Sequence, residues 1–318
     1  MSSVLVTGAS GLVGRALCAT LARHDHDVTA LVRRGNASVA TVREWHHEAA
    51  DFVGLHEAWP DDLTPDCVVH LAARVHVMHD DAPDPLAAFH ATNVEGTLRV
   101  ARAAQARGAR RIVFVSSIKA VAEVDGGLPL AESVQPAPRD PYGLSKRAAE
   151  EALWCLGEET GLEVVVVRPP LVYGPGVGAN FLQMMDALWR GVPLPFGSVN
   201  ARRSLVYTEN LADALMHCVT DWRAANTCFH VTDAEDLSVA QMLRRLGHHL
   251  SKPVRLIPVP PGLLRAAGAL TGRAAQMERL TSSLQVDASL IHERLGWRPP
   301  FAVEAGLEAT ARWYCATH

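Results

Sequence analysis

The amino-acid sequence predicts an α/β fold, a doubly wound parallel sheet followed by a smaller C-terminal α/β lobe. Three observations carry this. Short runs apolar on both faces alternate with helical patterns, as strands covered by helices on both sides require. A glycine-rich turn follows the first of these runs directly, which makes the sheet Rossmann-type. After Arg168 the chain turns to proline and glycine in RPPLVYGPGVG, and the strand–helix rhythm loosens.

The elements follow in order. Ser3–Thr7 is a short apolar run rich in β-branched residues, and Leu12–Arg23 has helical apolar spacing. Asp27–Val32, Cys67–Leu71, Ile112–Ser116 and Glu163–Val167 are strand-like, with helices expected at Thr92–Arg107 and Tyr142–Thr160. Further helices are expected near Phe181–Arg190 and Ser238–Leu250. At roughly 150 residues per domain, a chain of 318 residues divides into a dinucleotide-binding domain over 1–168 and a mainly substrate-binding lobe over 169–318, with some return to the first domain.

Apolar residues make up 48% of the chain, which excludes a disordered protein, and the net charge of −4 gives no reason to expect nucleic acid or an anionic membrane as partner. None of the six cysteines forms a CxxC pair, and several sit in apolar runs, so buried reduced thiols are expected. There is no signal-peptide pattern, and the most apolar C-terminal stretch, Pro260–Leu270, carries Arg265 and is too short to span a bilayer. A cytoplasmic protein is expected.

The first strand runs into Thr7-Gly8-Ala9-Ser10-Gly11-Leu12-Val13-Gly14. Glycines let such a turn approach a pyrophosphate closely, and the helix that starts there offers free N–H groups and the positive end of its dipole. The spacing is Gly-x-x-Gly-x-x-Gly, and by itself it also fits a tight turn without a ligand. The second strand ends Leu31-Val32-Arg33-Arg34. An acid there would suit the ribose of NAD, whereas arginines suit the 2′-phosphate of NADP through charge-assisted bonds. Solvated loop arginines are the alternative, so the cofactor is NAD or NADP.

Tyr142 and Lys146 stand four apart, on one helix face. A phenol of pKa about 10 is a useful base near neutrality only when cations favour its anion, as a nearby lysine and an oxidised nicotinamide would. The strand Ile112–Val115 leads to Ser116 and Ser117 at the carboxyl edge of the sheet, where open α/β folds bind ligands and a hydroxyl can bond the reacting oxygen.

Together these motifs resemble the extended short-chain dehydrogenase/reductase family, in particular its NAD-dependent epimerases and dehydratases of nucleotide sugars, over nearly the whole chain. TGASGLVG is similar to the family's TGxxGxxG turn, with Leu12 where Phe is common. His70-Leu71-Ala72-Ala73, Asn93-Val94-Glu95-Gly96-Thr97, Arg168-Pro169, Tyr173-Gly174-Pro175 and Leu295-Gly296-Trp297 resemble further family segments. The resemblance implies a catalytic triad of Ser117, Tyr142 and Lys146, the 25-residue interval between the first two fitting the epimerase branch. It implies cofactor contacts at Gly8, Ser10, Gly11, Leu12, Gly14, Arg33, Arg34, Leu71, Ala72, Ala73, Ser116, Tyr142, Lys146 and Pro169. Asn180 is expected at the diphosphate of the substrate and Arg203 at a phosphate or the nucleoside, while Arg74 and Lys119 face either the sugar or solvent.

The departures are informative. Dehydratases of the family carry an Asp-Glu pair where Ile118 and Lys119 stand, so water elimination is not expected, and Leu171 replaces a frequent substrate-binding Asn. What remains is NAD(P)-dependent oxidoreduction at C4 of a nucleoside-diphosphate hexose. A 4-epimerase is the first reading, an NADPH-dependent 4-ketoreductase the second, and a non-catalytic dinucleotide-binding module the third. The intact triad opposes the third. In the family the helices matching Thr92–Arg107 and Tyr142–Thr160 form a four-helix dimer contact, so a homodimer is expected. His46, His47 and Glu48 have no second cluster at ligand spacing, and no metal is expected. Asp51 is a further candidate, for a hydrogen bond to adenine.

Overall fold

A computed structural model describes residues 1–33, 42–75 and 84–318. The first half contains β1 (Ser3–Thr7), α1 (Leu12–Arg23), β2 (Asp27–Val32), β3 (Arg43–His46) and β4 (Cys67–His70). Then come α2 (Pro85–His90), which runs through a wide turn at Ala91–Glu95 into α3 (Gly96–Ala106), β5 (Arg111–Val115), α4 (Pro141–Thr160) and β6 (Glu163–Arg168). The second half contains β7 (Leu171–Tyr173), α5 (Ala179–Trp189), β8 (Arg202–Arg203), β9 (Leu205–Tyr207), α6 (Thr208–Thr220), β10 (Thr227–His230), β11 (Leu237–Ser238) and α7 (Val239–His249). Four helices end the chain: α8 (Pro261–Leu270), α9 (Ala274–Thr281), α10 (Ser289–Leu295) and α11 (Val303–Thr317).

Seven parallel strands form the main sheet in the order β10-β6-β5-β4-β1-β2-β3. Side chains alternate across a strand, so each central strand feeds two cores. Val4, Val6, Val113, Val115, Val165 and Val167 pack with α1, α6 and α10 on one side. Leu5, Ile112, Phe114, Val164 and Val166 pack with α3 and α4 on the other. This explains why these strands read as unbroken apolar runs.

Residues 208–230 lie beyond the expected boundary at 168, yet α6 packs against α1 and β10 pairs with β6 at the sheet edge. In the main sheet two strands are additional to the sequence reading, β3 and β10. Both are four-residue edge strands, and β3 buries only Trp45, so neither displays an apolar run. A third core, built on Tyr173, Phe181, Met185, Leu205, Leu243 and Leu307, holds the second lobe together with two small two-stranded sheets.

All six cysteines are free; Cys18, Cys67 and Cys218 are buried, but Cys155 and Cys315 are exposed, on the outer faces of α4 and α11. No helix among the described residues is long and apolar enough to cross a membrane, and none of their His, Cys, Asp and Glu side chains gather as a metal-binding group.

Candidate active site

β1 delivers the chain to Gly8, which has φ +68°, a region that disfavours a side chain. A Cβ there would also meet Ala72 N at 2.7 Å, so the glycine turn is pressed against the segment after β4. A Cβ at Gly14 would overlap the backbone of Gly8 and Ala9. Gly11 caps α1 without a side-chain bond, and Ser10 and Gly11 are exposed. The first N–H groups of α1 therefore have no side-chain cap, and the backbone approaches as closely as a pyrophosphate site demands. Leu12 is half-buried beneath the loop of the second lobe that carries Gly176. Arg33 is exposed at the end of β2, and Arg34 lies outside the described residues.

Buried His70 braces the next wall. Its ring bonds the hydroxyls of Thr7 (2.7 Å) and Thr97 (3.1 Å) and stacks on Phe114, and burial pushes its pKa down to about 3. Leu71, Ala72 and Ala73 continue half-buried from it. Asn93 ties this segment to α4: its side chain accepts from Arg74 N (2.8 Å) and donates to Arg74 O (3.0 Å) and Ser145 Oγ (2.9 Å). The Arg74 guanidinium lies over the Phe89 ring, which meets the Tyr142 ring edge-on. Asp51 accepts from the Thr92 hydroxyl at 2.6 Å, so its carboxylate joins the 50–52 turn to the wide turn before α3.

Asp140 starts α4 by accepting from Gly143 N, with Pro141 at the first helical position. That start places Tyr142 in the first turn and Lys146 one turn later. Burial pushes the Tyr142 phenol up to about 12, nearby Ser117 opposes this, and the Asp140 charge adds to it. Lys146 is buried; its ammonium donates to Val115 O at 2.8 Å and lies 4.4 Å from the Phe114 ring centre. Desolvation lowers its pKa to about 7, against the pull of Glu150. Glu150 is itself fully buried and held by two bonds from Arg168. Ser116 Oγ, between this group and the glycine turn, is buried with no hydrogen-bond partner, and Pro169 is buried beside it, accepting from Ile118 N. An orphaned hydroxyl over a glycine cradle fits a polar cofactor laid across the sheet edge.

The second lobe supplies the opposite wall. Asn180 is exposed in the first turn of α5. Arg203 donates to the carbonyls of Arg279 and Ser282 at the end of α9, and both burial and the Arg279 charge lower its pKa. Arg279 was not singled out in the sequence, because the stretch around it bears no motif. Lys119 pairs with Asp140 at 2.8 Å.

Fold and site define a dinucleotide-dependent oxidoreductase. The chain belongs to the NAD dependent epimerase/dehydratase family, whose model matches residues 4–229. It is 40% identical to a UDP-glucose 4-epimerase of Vibrio cholerae over 318 residues, 98% of this chain and 94% of that protein. It is 31% identical to a 3-diazoavenalumate denitrifying reductase of a Streptomyces species over 93% of this chain and 95% of that one. A Thermotoga maritima UDP-glucose 4-epimerase, solved with UDP-glucose, superposes with a TM-score of 0.80 at 22% identity, covering 99% of each chain.

Proposed function

We propose that this enzyme is a nucleotide-sugar 4-epimerase using NAD or NADP, with a uridine-diphosphate hexose as the substrate class. The observation that carries this is Ser117 beside the Tyr142 phenol with buried Lys146 one turn on, in a chain 40% identical to a UDP-glucose 4-epimerase. A bound nicotinamide supplies the site that takes up and returns hydride. Tyr142 removes the proton of the C4 hydroxyl and gives it back at the C4 carbonyl. Ser117 bonds the reacting oxygen in both states. Lys146 holds positive charge beneath the phenol and faces the nicotinamide ribose. Gly8, Ser10, Gly11, Leu12 and Gly14 hold the pyrophosphate, Leu71–Ala73, Ser116 and Pro169 enclose the nicotinamide half, and Arg33 and Arg34 meet the adenosine ribose. Asn180, Arg203 and Arg279 hold the substrate diphosphate, with Arg74 on the sugar side.

Residues 1–168 are the dinucleotide unit, completed by α6 and β10, and the remainder of 169–318 is the substrate lobe. Two copies meet through α3 and α4, where Leu144 is 42% exposed. The enzyme works in the cytoplasm, and its product supplies polysaccharide synthesis.

A second reading, an NADPH-dependent 4-ketoreductase, is favoured by exposed Arg33 at the end of β2. One experiment separates the two. Purified enzyme is mixed with uridine- and thymidine-diphosphate hexoses, with and without NADPH, following sugar products and reduced nicotinamide together. An epimerase interconverts a C4 pair with no net change in reduced cofactor. Stoichiometric NADPH consumption with a 4-keto sugar, and no epimerisation of any 4-hydroxy sugar, establishes the reductase.

A further inference from the structure

Lys119 and Asp140 sit beside Tyr142 as a partly shielded ion pair. Lys119 Nζ donates to Asp140 Oδ2 at 2.8 Å, the side chains being 20% and 22% exposed. The other carboxylate oxygen, Oδ1, accepts from Gly143 N at 2.8 Å and so starts α4. Glu123 Oε1 fixes the chain just before that cap, accepting from Arg139 N and Asp140 N. Lys119 Nζ is 5.9 Å from the centre of the Tyr142 ring. Its backbone N–H donates to Ser117 Oγ at 3.2 Å, the hydroxyl beside the phenol. One carboxylate thus begins the helix that carries Tyr142 and Lys146, and lies near enough to the phenol to disfavour its anion. One ammonium offsets that charge.

We propose that Lys119 is a positioning residue for Tyr142, pairing with Asp140 to fix the first turn of α4 and to neutralise the carboxylate that faces the phenol. This rests on Tyr142 being the acid–base group of the proposed reaction. It gives a use to the position where family dehydratases carry an acid: a carboxylate at 119 would repel Asp140 and leave two anions beside the phenol.

Among the described residues, other charged groups on elements packed against this end of α4 include Lys146 on its own helix, Arg74 and His90 on the side of Phe89, Glu95 in the wide turn, and Glu123 and Arg139 before the cap. Glu150 and Arg168 answer each other further along. All of these stay constant in the variants that follow.

Lys119→Met removes the ammonium and keeps an apolar stem. Asp140→Asn removes the anion and keeps a good helix cap. In the oxidising direction turnover rises with pH as the phenol loses its proton. Lys119→Met should move this rise to higher pH by roughly one unit, the effect of a charge about 4–6 Å away, with KM for the nucleotide sugar unchanged. Lys119→Arg should leave the rise in place. Asp140→Asn should move it to lower pH, and the double variant Lys119→Met/Asp140→Asn should return it near the wild-type position. Tyrosine Cζ resonances give a second readout in the dinucleotide-saturated protein. With four tyrosines in the chain, Tyr142 is assigned by its loss in Tyr142→Phe, and its titration should shift in the same order as the rates. A pH rise unmoved in Lys119→Met, or a raised KM at an unmoved pH rise that Asp140→Asn does not rescue, overturns the proposal, the latter in favour of a direct sugar contact. Retained turnover in Tyr142→Phe would instead remove the acid–base reading beneath it.

Discussion

Glu150→Gln tests the support under Lys146, the lysine of the proposed triad. Glu150 is fully buried, and Arg168, 4% exposed, reaches it with bonds of 2.9 Å from Nε and 2.6 Å from Nη2. Removing one member of such a pair leaves the other charge buried without an answer and costs about 3–5 kcal/mol. Glutamine keeps the shape and one acceptor, so about 3 kcal/mol is expected. At roughly 2–3 °C per kcal/mol for a chain of this size, the melting temperature should fall by about 6–9 °C. Arg147 also approaches Glu150, at 3.5 Å, but its side chain is 30% exposed, and Arg147→Ala should cost under about 1 kcal/mol. The double variant Glu150→Gln/Arg168→Met buries no unpaired charge and should be more stable than Glu150→Gln alone. Function should move too. The Glu150 charge favours the ammonium of Lys146, whose pKa lies at about 7 without cofactor. Losing it lowers that pKa further, so less ammonium remains as pH rises, and turnover should fall more at pH 8 than at pH 6. The assays are calorimetric melting and initial rates at the two pH values. Glu150→Gln melting within about 1 °C of wild type, or a rate loss equal at both pH values, would refute the reasoning.

Arg33→Ala should weaken NADPH by about 10–100-fold, the worth of a bond to a charged group, and leave NADH nearly unchanged; fluorescence titration of both cofactors checks this, and equal losses would detach Arg33 from the ribose. Arg203→Ala should raise the dissociation constant for UDP by tenfold or more with little change in dinucleotide affinity, measured by calorimetry. Acid should destabilise the fold through His70 and His230, both fully buried with pKa values pushed down by burial to about 3 and about 4. The unfolded chain takes up protons below about pH 6.5 while the folded one does not, so this stability is complete above that pH and is lost as pH falls toward the folded values. Each histidine should cost about 2 kcal/mol between pH 6.5 and pH 5, read from urea midpoints; a flat profile over that range would show that both rings are protonated in the native state.

The sheet was legible because its central strands are buried on both faces, which leaves apolar runs such as VVVV at Val164–Val167. It was illegible at the edges, where a strand packs on one side only. Arg43–His46 offers one buried side chain, Trp45, too little to read as an apolar run. The sequence shows a reacting phenol and ammonium because their spacing is local. It does not show what tunes them, since Glu150, Arg168 and Asp140 take meaning only from which charge they face. Asp51 illustrates the same gap. Its Oδ1 accepts from the hydroxyl of Thr92, 41 residues away, a partner that no local pattern encodes.

The two functional readings share one triad, so the choice between them lies outside it. An epimerase must keep its dinucleotide while the keto sugar turns over; a reductase must release it each cycle. The pyrophosphate turn belongs to the first unit, but part of its cover comes from the second. A Cβ at Gly176 would lie 3.0 Å from Arg15 Nη2 and 3.6 Å from Leu12 Cδ1, so the 174–178 loop rests on the start of α1. Arg15 in turn donates to Ser10 O within the turn. Gly176 has φ +90°, and the chain around it joins β7 to α5, whose first turn carries Asn180. The segment that covers the cofactor phosphates is thus continuous with the segment placed to hold the substrate diphosphate. On the proposed reading, cover of the dinucleotide and hold on the substrate lie on one segment, an arrangement that suits an enzyme that borrows a hydride and returns it within one binding event.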